Sequence, residues 1–219
     1  MTAPPDDAAS RLAYLRHVYR LKERPRTGWA LRGIEEPESV ADHAWGTALL
    51  CLLFADEAGV DRAEAVEIAL VHDLAEAEIG DLPALADEGA RPVGPEAKAR
   101  LEARAMAALA GLPLGPGAEL VQARWSAYEH RDGAAARFAR DMNLVDMALQ
   151  ALAYAEAGRG PTAQALDEFV ASARERVGTP FGRGLVNEIV AAYAAGRDAA
   201  ATGDGSGSGS DLRPGRDAP

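Results

Sequence analysis

Apolar residues recur along most of the chain at intervals of three and four positions, and no alternation of apolar and polar residues is long enough for a strand. This spacing is typical of amphipathic helices, because it gathers the apolar side chains on one face. We therefore predict an all-α fold, a helical bundle in which the helices have approximate ends. The predicted helices cover residues 9–23, 37–58, 61–78, 95–111, 117–131, 134–158, 162–176 and 183–197.

Residues that favour helix ends support several of these boundaries. Asp61 can cap the third helix, with Glu64 three residues later at the position of a capping-box partner. Gly59 follows the second helix as a stop signal. The predicted buried stripe of the third helix consists of Val66, Ala69, Leu70 and Leu74. Two tryptophans are predicted to anchor the core, Trp45 and Trp125.

The two ends of the chain differ in composition from its middle. Residues 203–210 alternate glycine with serine and aspartate, and residues 1–8 are also poor in apolar groups. Such segments bury too little apolar surface to offset the entropy of ordering. With 219 residues, the chain is predicted to form one domain over residues 9–197, between disordered termini at 1–8 and 198–219.

Composition and charge narrow the classes of function. The chain is 48% apolar and 26% charged, and it carries a net charge of −11. The acidic balance excludes a uniformly basic surface, so we expect no nucleic-acid polymer as a partner. A single cysteine, Cys51, excludes an intramolecular disulfide and a zinc site built from cysteines. Cys51 lies in an apolar run and is predicted to be a buried core residue.

No segment has the features of a membrane anchor or a secretory signal. No apolar stretch approaches the roughly 20 residues that a membrane span requires. The first seven residues contain acidic groups where a signal peptide has a basic region followed by an apolar one. We therefore expect a cytoplasmic protein that does not bind membranes.

Two histidines lie in apolar segments where an ionisable side chain is unusual. His43 is in the second predicted helix, and His72 directly precedes Asp73 in the third. Burying such groups is costly unless they are paired or bind a metal. The side chains of His72 and Asp73 diverge by about 100° but can both reach an ion beside the helix. Imidazole and carboxylate ligands suit Mn, Co, Fe or Zn, so the pattern indicates a site for a divalent metal ion.

Two further carboxylates follow this candidate metal site. Glu76 lies four residues after His72 and shares its helical face. Asp81 follows at the predicted end of the helix. A metal makes water more acidic and polarises a phosphoryl oxygen, and a nearby carboxylate can orient water or move protons. The combination favours metal-assisted hydrolysis.

These residues form motifs that resemble those of HD-domain metal phosphohydrolases, in particular the 5′-deoxynucleotidase branch. The motifs are ESVADH at 38–43, ALVHDLAE at 69–76 and IGD at 79–81. The resemblance begins near residue 15, includes Arg26–Trp29, and ends near residue 155. It implies an all-helical and commonly dimeric enzyme. Such enzymes use one divalent metal ion (Mn, Co, Fe, Zn or Mg) to hydrolyse deoxyribonucleoside 5′-monophosphates to the nucleoside and phosphate.

By position, the resemblance implies that the metal ligands are His43, His72, Asp73 and Asn143. The family has an aspartate at the last position, and the amide of Asn143 has an oxygen ligand but lacks the negative charge. Three interpretations remain open: Asn143 is a weak ligand, Asp146 one turn later replaces it, or the site is degraded. The catalytic residues that the resemblance implies are Glu76 and Asp81.

A basic run precedes these motifs in an otherwise acidic chain. Residues 11–32 contain six arginines and Lys22 but one acidic residue, Glu23. Arginine binds phosphate through a planar pair of donors, and tryptophan can stack on a base or sugar. We expect most of this run to be a solvated helix face and assign Trp29 and Arg32 to substrate binding.

The function predicted from the sequence is a metal-dependent phosphomonoesterase of deoxyribonucleoside 5′-monophosphates or close nucleotides, acting as a homodimer. One alternative is hydrolysis of another phosphorylated metabolite in a biosynthetic pathway. Another is a nucleotide-binding protein that has lost turnover through Asn143. A di-iron oxygenase would need further metal-binding histidines, and the chain has only four histidines in total.

Overall fold

A computed structural model of the chain describes residues 7–82, 94–111, 116–160, 162 and 164–203. These residues form ten α-helices and a 3₁₀ helix at Tyr19–Glu23, without a β-strand, which confirms the predicted all-α fold. The helices are α1 (Asp7–Val18), α2 (Thr27–Leu31), α3 (Val40–Phe54), α4 (Arg62–Val71), α5 (Glu76–Ile79), α6 (Pro95–Ala110), α7 (Pro116–His130), α8 (Gly133–Glu156), α9 (Asp167–Arg176) and α10 (Pro180–Gly203).

The predicted boundaries of the domain fall near the ends of the described chain. Helix α1 begins two residues before the predicted start at 9, and α10 continues past the predicted end at 197 to Gly203. Of the termini predicted to be disordered, 1–8 and 198–219, residues 7–8 and 198–203 belong to α1 and α10, and residues 1–6 and 204–219 lie outside the described residues. That part of the prediction therefore stays a prediction.

Side-chain caps fix the starts of the two helices that contribute the histidines. Asp61 accepts a hydrogen bond from the Glu64 amide, as its position predicts. Ser39 accepts from the Asp42 amide, and the Asp42 carboxylate in turn accepts from the Ser39 amide, which completes a capping box. Each cap satisfies backbone donors that have no partner within the helix. The entry of α3, three residues before His43, is thereby held in place.

The helix predicted over 61–78 is interrupted where the chemistry is concentrated. Helix α4 ends at Val71, residues 72–75 form a turn, and α5 starts at Glu76. The His72 imidazole hydrogen bonds to the carbonyl oxygen of Ala69, which a continuous helix would offer to the Asp73 amide. The backbone continues with tighter bonds three residues apart, from Leu74 to Val71 and from Glu76 to Asp73. The side chain of His72 thus competes with the regular helix.

Helices α3, α4 and α8 pack against one another at the centre and surround the candidate site. The largest core cluster joins them to α10, and Cys51 is completely buried in it, as predicted. Alanines make up much of this cluster and allow the helix axes to approach closely. A second cluster joins α5, α6 and α7, and a third joins α2, α8, α9 and α10.

Asp141 on α8 binds the backbone just before α10 and so connects α10 to the core. Its two carboxylate oxygens accept hydrogen bonds from the backbone amides of Gly178 and Thr179, at 2.9 and 2.6 Å. The side chain of Asp141 is buried, and these amides immediately precede α10. A carboxylate at this position satisfies donors at a helix start that would otherwise be unpaired.

Two apolar residues that were predicted to be buried are exposed. Trp45 on α3 is 66% exposed and Leu70 on α4 is 53% exposed, so both predictions are wrong. Both helices are apolar on more than one face, and the periodicity cannot show which face the neighbouring helices cover. Trp125 is buried, as predicted. No helix in the described part of the chain is long and apolar enough to span a bilayer, and the cytoplasmic location stays a prediction.

Candidate metal centre

Three predicted metal ligands meet between α3 and the turn after α4. The Nε2 atoms of His43 and His72 lie 3.3 Å apart, and both imidazoles are buried. The Oδ2 atom of Asp73 lies 3.2 Å from Nε2 of His72 and 3.7 Å from Nε2 of His43. Three donor atoms within this distance of one another can bind a single ion.

Hydrogen bonds on the far side of each ring determine which nitrogens face the cluster. His72 Nδ1 donates to the backbone oxygen of Ala69 at 2.7 Å, and this oxygen can only accept. His43 Nδ1 donates to Oδ2 of Asp146 at 2.6 Å. A neutral imidazole that carries its proton on Nδ1 has a lone pair on Nε2. The two Nε2 atoms that face each other are therefore both acceptors.

The charges around the cluster favour metal-binding forms of these groups. Burial lowers the pKa of His43, and the nearby Arg26 and His72 lower it further, so the imidazole is neutral. Burial alone would raise the pKa of Asp73, but His72 and Arg26 hold it below its usual value. Oδ2 of Asp73 is buried and makes no hydrogen bond among the described residues, although Nη1 of Arg26 lies 3.5 Å away. Two facing lone pairs and this carboxylate oxygen fit a divalent cation.

Asp146 lies behind His43, on the opposite side of the ring from the metal cluster. It contacts Nδ1, whereas Nε2 faces His72 and Asp73. Gly46 lies beside the Asp146 carboxylate, and a Cβ atom at that position would clash with its oxygen Oδ1. Burial raises the pKa of Asp146 to about 7, although Arg26 and His72 act in the other direction. In this position Asp146 orients the imidazole and fixes its tautomer.

Asn143 lies one turn earlier on α8 and contacts a different residue. Its Nδ2 donates to the hydroxyl of Tyr128 at 2.7 Å. The Tyr128 ring lies against the His72 ring, with centroids 4.9 Å apart. Because the amide nitrogen of Asn143 donates to the Tyr128 hydroxyl, the amide oxygen Oδ1 is the atom that could act as a ligand. Asn143 and Asp146 thus have separate environments beside the two histidines.

Glu76 is the most deeply buried carboxyl group near the cluster. Its Oε1 accepts from Nζ of Lys98 at 3.3 Å, and its Oε2 is buried with no hydrogen-bond partner among the described residues. Burial raises the pKa of Glu76 to about 9, and the negative charges of Asp73 and Asp81 contribute. A carboxyl group with a raised pKa and one free oxygen is suited to proton transfer.

Asp81 and Arg26 complete the polar surroundings of Glu76. Oδ2 of Asp81 accepts from the backbone amide of Thr27 at 2.7 Å, and the Thr27 hydroxyl donates to the Asp81 carbonyl at 2.8 Å. Arg26 directly precedes Thr27, and its Nη1 lies 3.5 Å from Oδ2 of Asp73. Burial disfavours the charged guanidinium, but Asp81, Asp73 and Glu76 raise the pKa of Arg26. The segment before α2 therefore holds a positive charge among these carboxylates.

The two predicted substrate-binding residues have partners of their own in the structure, and their role in binding substrate stays a prediction. Trp29 is 1% exposed, packs on Phe169, and donates from Nε1 to Glu38 at 2.8 Å. The guanidinium of Arg32 pairs with the carboxylate of Glu168 through two nitrogens. Trp29 is thus hydrogen bonded to Glu38. The carboxylate of Glu38 lies close enough to His43 and Asp146 for the three side chains to share a metal ion. Arg32 has its partner on α9.

Arg26 and Lys98 lie beside the candidate site, and the sequence led to no role for either of them. Arg26 belongs both to the basic run and to the segment Arg26–Trp29 that resembles the family, but its contact with Asp73 could not be predicted from either. Lys98 is on α6, 22 residues after Glu76. Glu102 follows Lys98 by one helical turn, and this spacing is as typical of a surface ion pair as of a site residue. The contacts of both residues depend on the tertiary structure.

Comparisons with known proteins give the family that the chain resembles and several similar proteins. A family model described as "HD domain" matches residues 18–182. A curated 5′-deoxynucleotidase HDDC2 of Bos taurus is 37% identical over 185 residues, 84% of this chain and 86% of that protein. The HDDC2 protein of Xenopus laevis is 38% identical over 69% of this chain and 73% of its own length. The crystal structure of PH0347 from Pyrococcus horikoshii superimposes with a TM-score of 0.65 and 29% identity, over 83% of this chain and 99% of that one.

The cluster leads to a prediction about bound metal. We expect His72→Ala and Asp73→Ala to remove most bound Mn²⁺ or Co²⁺, because each variant deletes one of three clustered donor atoms. Metal content measured by mass spectrometry after dialysis, with circular dichroism for folding, tests this. The exposed His130 provides a control, since His130→Ala is expected to retain the metal. Equal metal content in all variants would contradict the assignment.

Proposed function

The chain belongs to the HD-domain family, and on this basis we propose that it is a divalent-metal-dependent phosphomonoesterase that hydrolyses deoxyribonucleoside 5′-monophosphates to the nucleoside and phosphate. The observation that carries the proposal is the cluster of His43, His72 and Asp73, whose donor atoms face one another next to a buried carboxyl group. Curated relatives at 37% and 38% identity named 5′-deoxynucleotidase support the substrate class.

The proposed metal ligands are His43, His72 and Asp73, with Asn143 as a neutral fourth ligand. A divalent metal supplies Lewis-acid chemistry, since it polarises a phosphoryl oxygen and makes water more acidic. Asp146 is proposed to hold the ring of His43 through Nδ1. This interpretation is the first of the three that the sequence left open, and the separate contacts of Asn143 and Asp146 support it.

Glu76 is proposed to carry the proton in the reaction. Its free oxygen Oε2 is the atom that can accept a proton from attacking water. The same carboxyl group can then pass that proton to the leaving 5′-oxygen. Asp81 is proposed to assist from the next segment, where the Thr27 amide fixes one of its oxygens.

Arg26 is proposed to meet the phosphate, and Arg32 stays a predicted substrate-binding residue. Nη1 of the half-buried Arg26 lies 3.5 Å from Oδ2 of Asp73, and Arg32 pairs with Glu168. A guanidinium binds phosphate through a planar pair of donors and reduces the repulsion between a phosphate dianion and the carboxylates of the site. Trp29 then supports the site through Glu38 and the core, without an exposed face for stacking.

The outer face of α3 supports the homodimer that we propose. Trp45, Leu49, Leu52 and Leu53 recur at helical spacing on the side opposite the buried residues of α3, and all four are exposed. An exposed apolar stripe of this kind marks a protein–protein contact. A stripe on one helix can pair with the same stripe of a second copy across a twofold axis. We propose that this face joins two copies of the chain.

The activity itself is tested with a panel of phosphomonoesters. We expect Mn²⁺- or Co²⁺-dependent release of phosphate from deoxyribonucleoside 5′-monophosphates, at higher kcat/KM than from sugar phosphates or other metabolites. Glu76→Ala is expected to lower kcat by about 10²–10⁴-fold, the usual effect of a positioned acid–base group, with bound metal unchanged. Nucleotide binding without turnover by the metal-loaded wild type would favour a binding protein, and a preference for non-nucleotide substrates would favour another phosphatase.

A metal titration distinguishes the proposed roles of Asn143 and Asp146. We expect Asn143→Asp to tighten metal binding by about tenfold, because an anionic ligand replaces a neutral one; this corresponds to roughly 1.4 kcal/mol. Asp146→Ala is expected to weaken binding by about 10–100-fold without abolishing it, as for a residue that orients a ligand. Calorimetric titration with Mn²⁺ measures both. Complete loss in Asp146→Ala with no change in Asn143→Asp would make Asp146 the fourth ligand.

The dimer is tested by light scattering coupled to size exclusion. We expect the wild type to elute with the mass of two chains and the double variant Leu52→Glu, Leu53→Glu to elute as one chain, because two buried charges oppose the contact. Leu120→Glu on α7 replaces an equally exposed leucine outside the proposed face and is expected to leave the dimer intact. A monomeric wild type would contradict the proposal.

A further inference from the structure

The amino group of Lys98 contacts three oxygen atoms near the catalytic carboxylates. Its Nζ lies 3.3 Å from Oε1 of Glu76, 3.3 Å from the carbonyl oxygen of Leu82 and 3.5 Å from Oε1 of Glu102. These oxygens belong to α5, to the residue after Asp81 and to α6. The contacts connect α6 to both segments that carry the proposed catalytic residues.

We infer that Lys98 is a positioning residue for Glu76, holding Oε1 so that Oε2 faces the reacting groups. The inference rests on the proposed function, in which Glu76 transfers the proton. The two oxygens of Glu76 differ in the structure: Oε1 is bound by Lys98, and Oε2 is buried and has no hydrogen-bond partner among the described residues. A carboxyl group held by one oxygen keeps a defined orientation for the other.

The charges around Glu76 show why such a tether is needed. Glu76 is 1% exposed, and the negative charges of Asp73 and Asp81 act on it. A buried carboxylate among others is driven towards water or towards protonation unless a cation lies beside it. The cationic side chain of Lys98 is also largely buried, with 28% of its surface exposed. Removing it leaves Glu76 without its contact partner.

The same contacts argue against a direct role of Lys98 in binding phosphate. An ammonium group has three N–H donors, and three oxygens surround this one. Binding a substrate oxygen would require Lys98 to release Glu76, Glu102 or the Leu82 carbonyl. A role through Glu76 therefore agrees better with the geometry than a contact with the substrate.

Kinetics of single variants test the role. We expect Lys98→Met to lower kcat by about 10–100-fold, the scale of residues that orient a functional group, while KM and metal content change by less than about twofold. Lys98→Arg keeps the charge and donors and is expected to recover part of kcat. The control is Arg100→Met, on the same helix, where Arg100 is exposed and pairs only weakly with Glu96 at 4.0 Å. A rise in KM with unchanged kcat would make Lys98 a substrate-binding residue and overturn the inference.

A double variant separates action through Glu76 from an independent effect. Because residues that act as a unit are not additive, Lys98→Met is expected to cause no further loss of kcat in a Glu76→Gln background. The same fold loss in both backgrounds would overturn the inference.

Thermal unfolding of the same four proteins provides a readout without substrate. Lys98→Met is expected to lower Tm by more in the wild type than in the Glu76→Gln background, because the carboxyl partner of Lys98 is absent from the latter. Equal shifts would show that the two side chains are uncoupled and would overturn the inference. A wild type that hydrolyses no nucleotide would contradict the proposed function instead, and the Tm comparison would still decide the coupling.

Discussion

The organisation of the site depends on two imidazole nitrogens that face each other across a short distance. His43 and His72 each use Nδ1 for a hydrogen bond, to Asp146 and to the Ala69 carbonyl, and their Nε2 atoms lie 3.3 Å apart. With the proton of each neutral ring on Nδ1, both Nε2 atoms offer a lone pair to a cation. A metal that binds the folded chain here stabilises it relative to the unfolded chain, in which the two nitrogens are not held together.

The elements around this contact divide into helices of the main core and short segments held by contacts from elsewhere in the chain. The proposed ligands His43 and His72 come from α3 and the end of α4, which share the main core with α8. The proposed catalytic carboxylates lie instead on the four-residue helix α5 and in the segment after it. Such short elements have few contacts of their own, so their side chains depend on partners such as Lys98 and Thr27. Positioning therefore comes from neighbours distant in sequence.

The parts of this architecture that the sequence predicted are those set by local rules. The all-α fold, the Asp61 cap and the proximity of His43 to His72 follow from periodicity, capping preferences and motif spacing. The interruption after Val71 was missed because it comes from a side-chain hydrogen bond that competes with the backbone. The exposure of Trp45 was missed because α3 is apolar on both its buried and its outer face, and periodicity does not choose between them.

The charges around position 143 explain how an amide there differs from a carboxylate. Asp73 and Glu76 already place two carboxyl groups at the candidate site, and burial together with the negative charge of Asp73 raises the pKa of Glu76. A third carboxylate at 143 would add repulsion in the metal-free chain and attraction once a cation is bound. The neutral Asn143 reduces both effects, and its hydrogen bond to Tyr128 keeps the amide oxygen available. An amide at this position gives the site one negative charge fewer than a carboxylate would, which lowers the repulsion without a metal and the attraction with one.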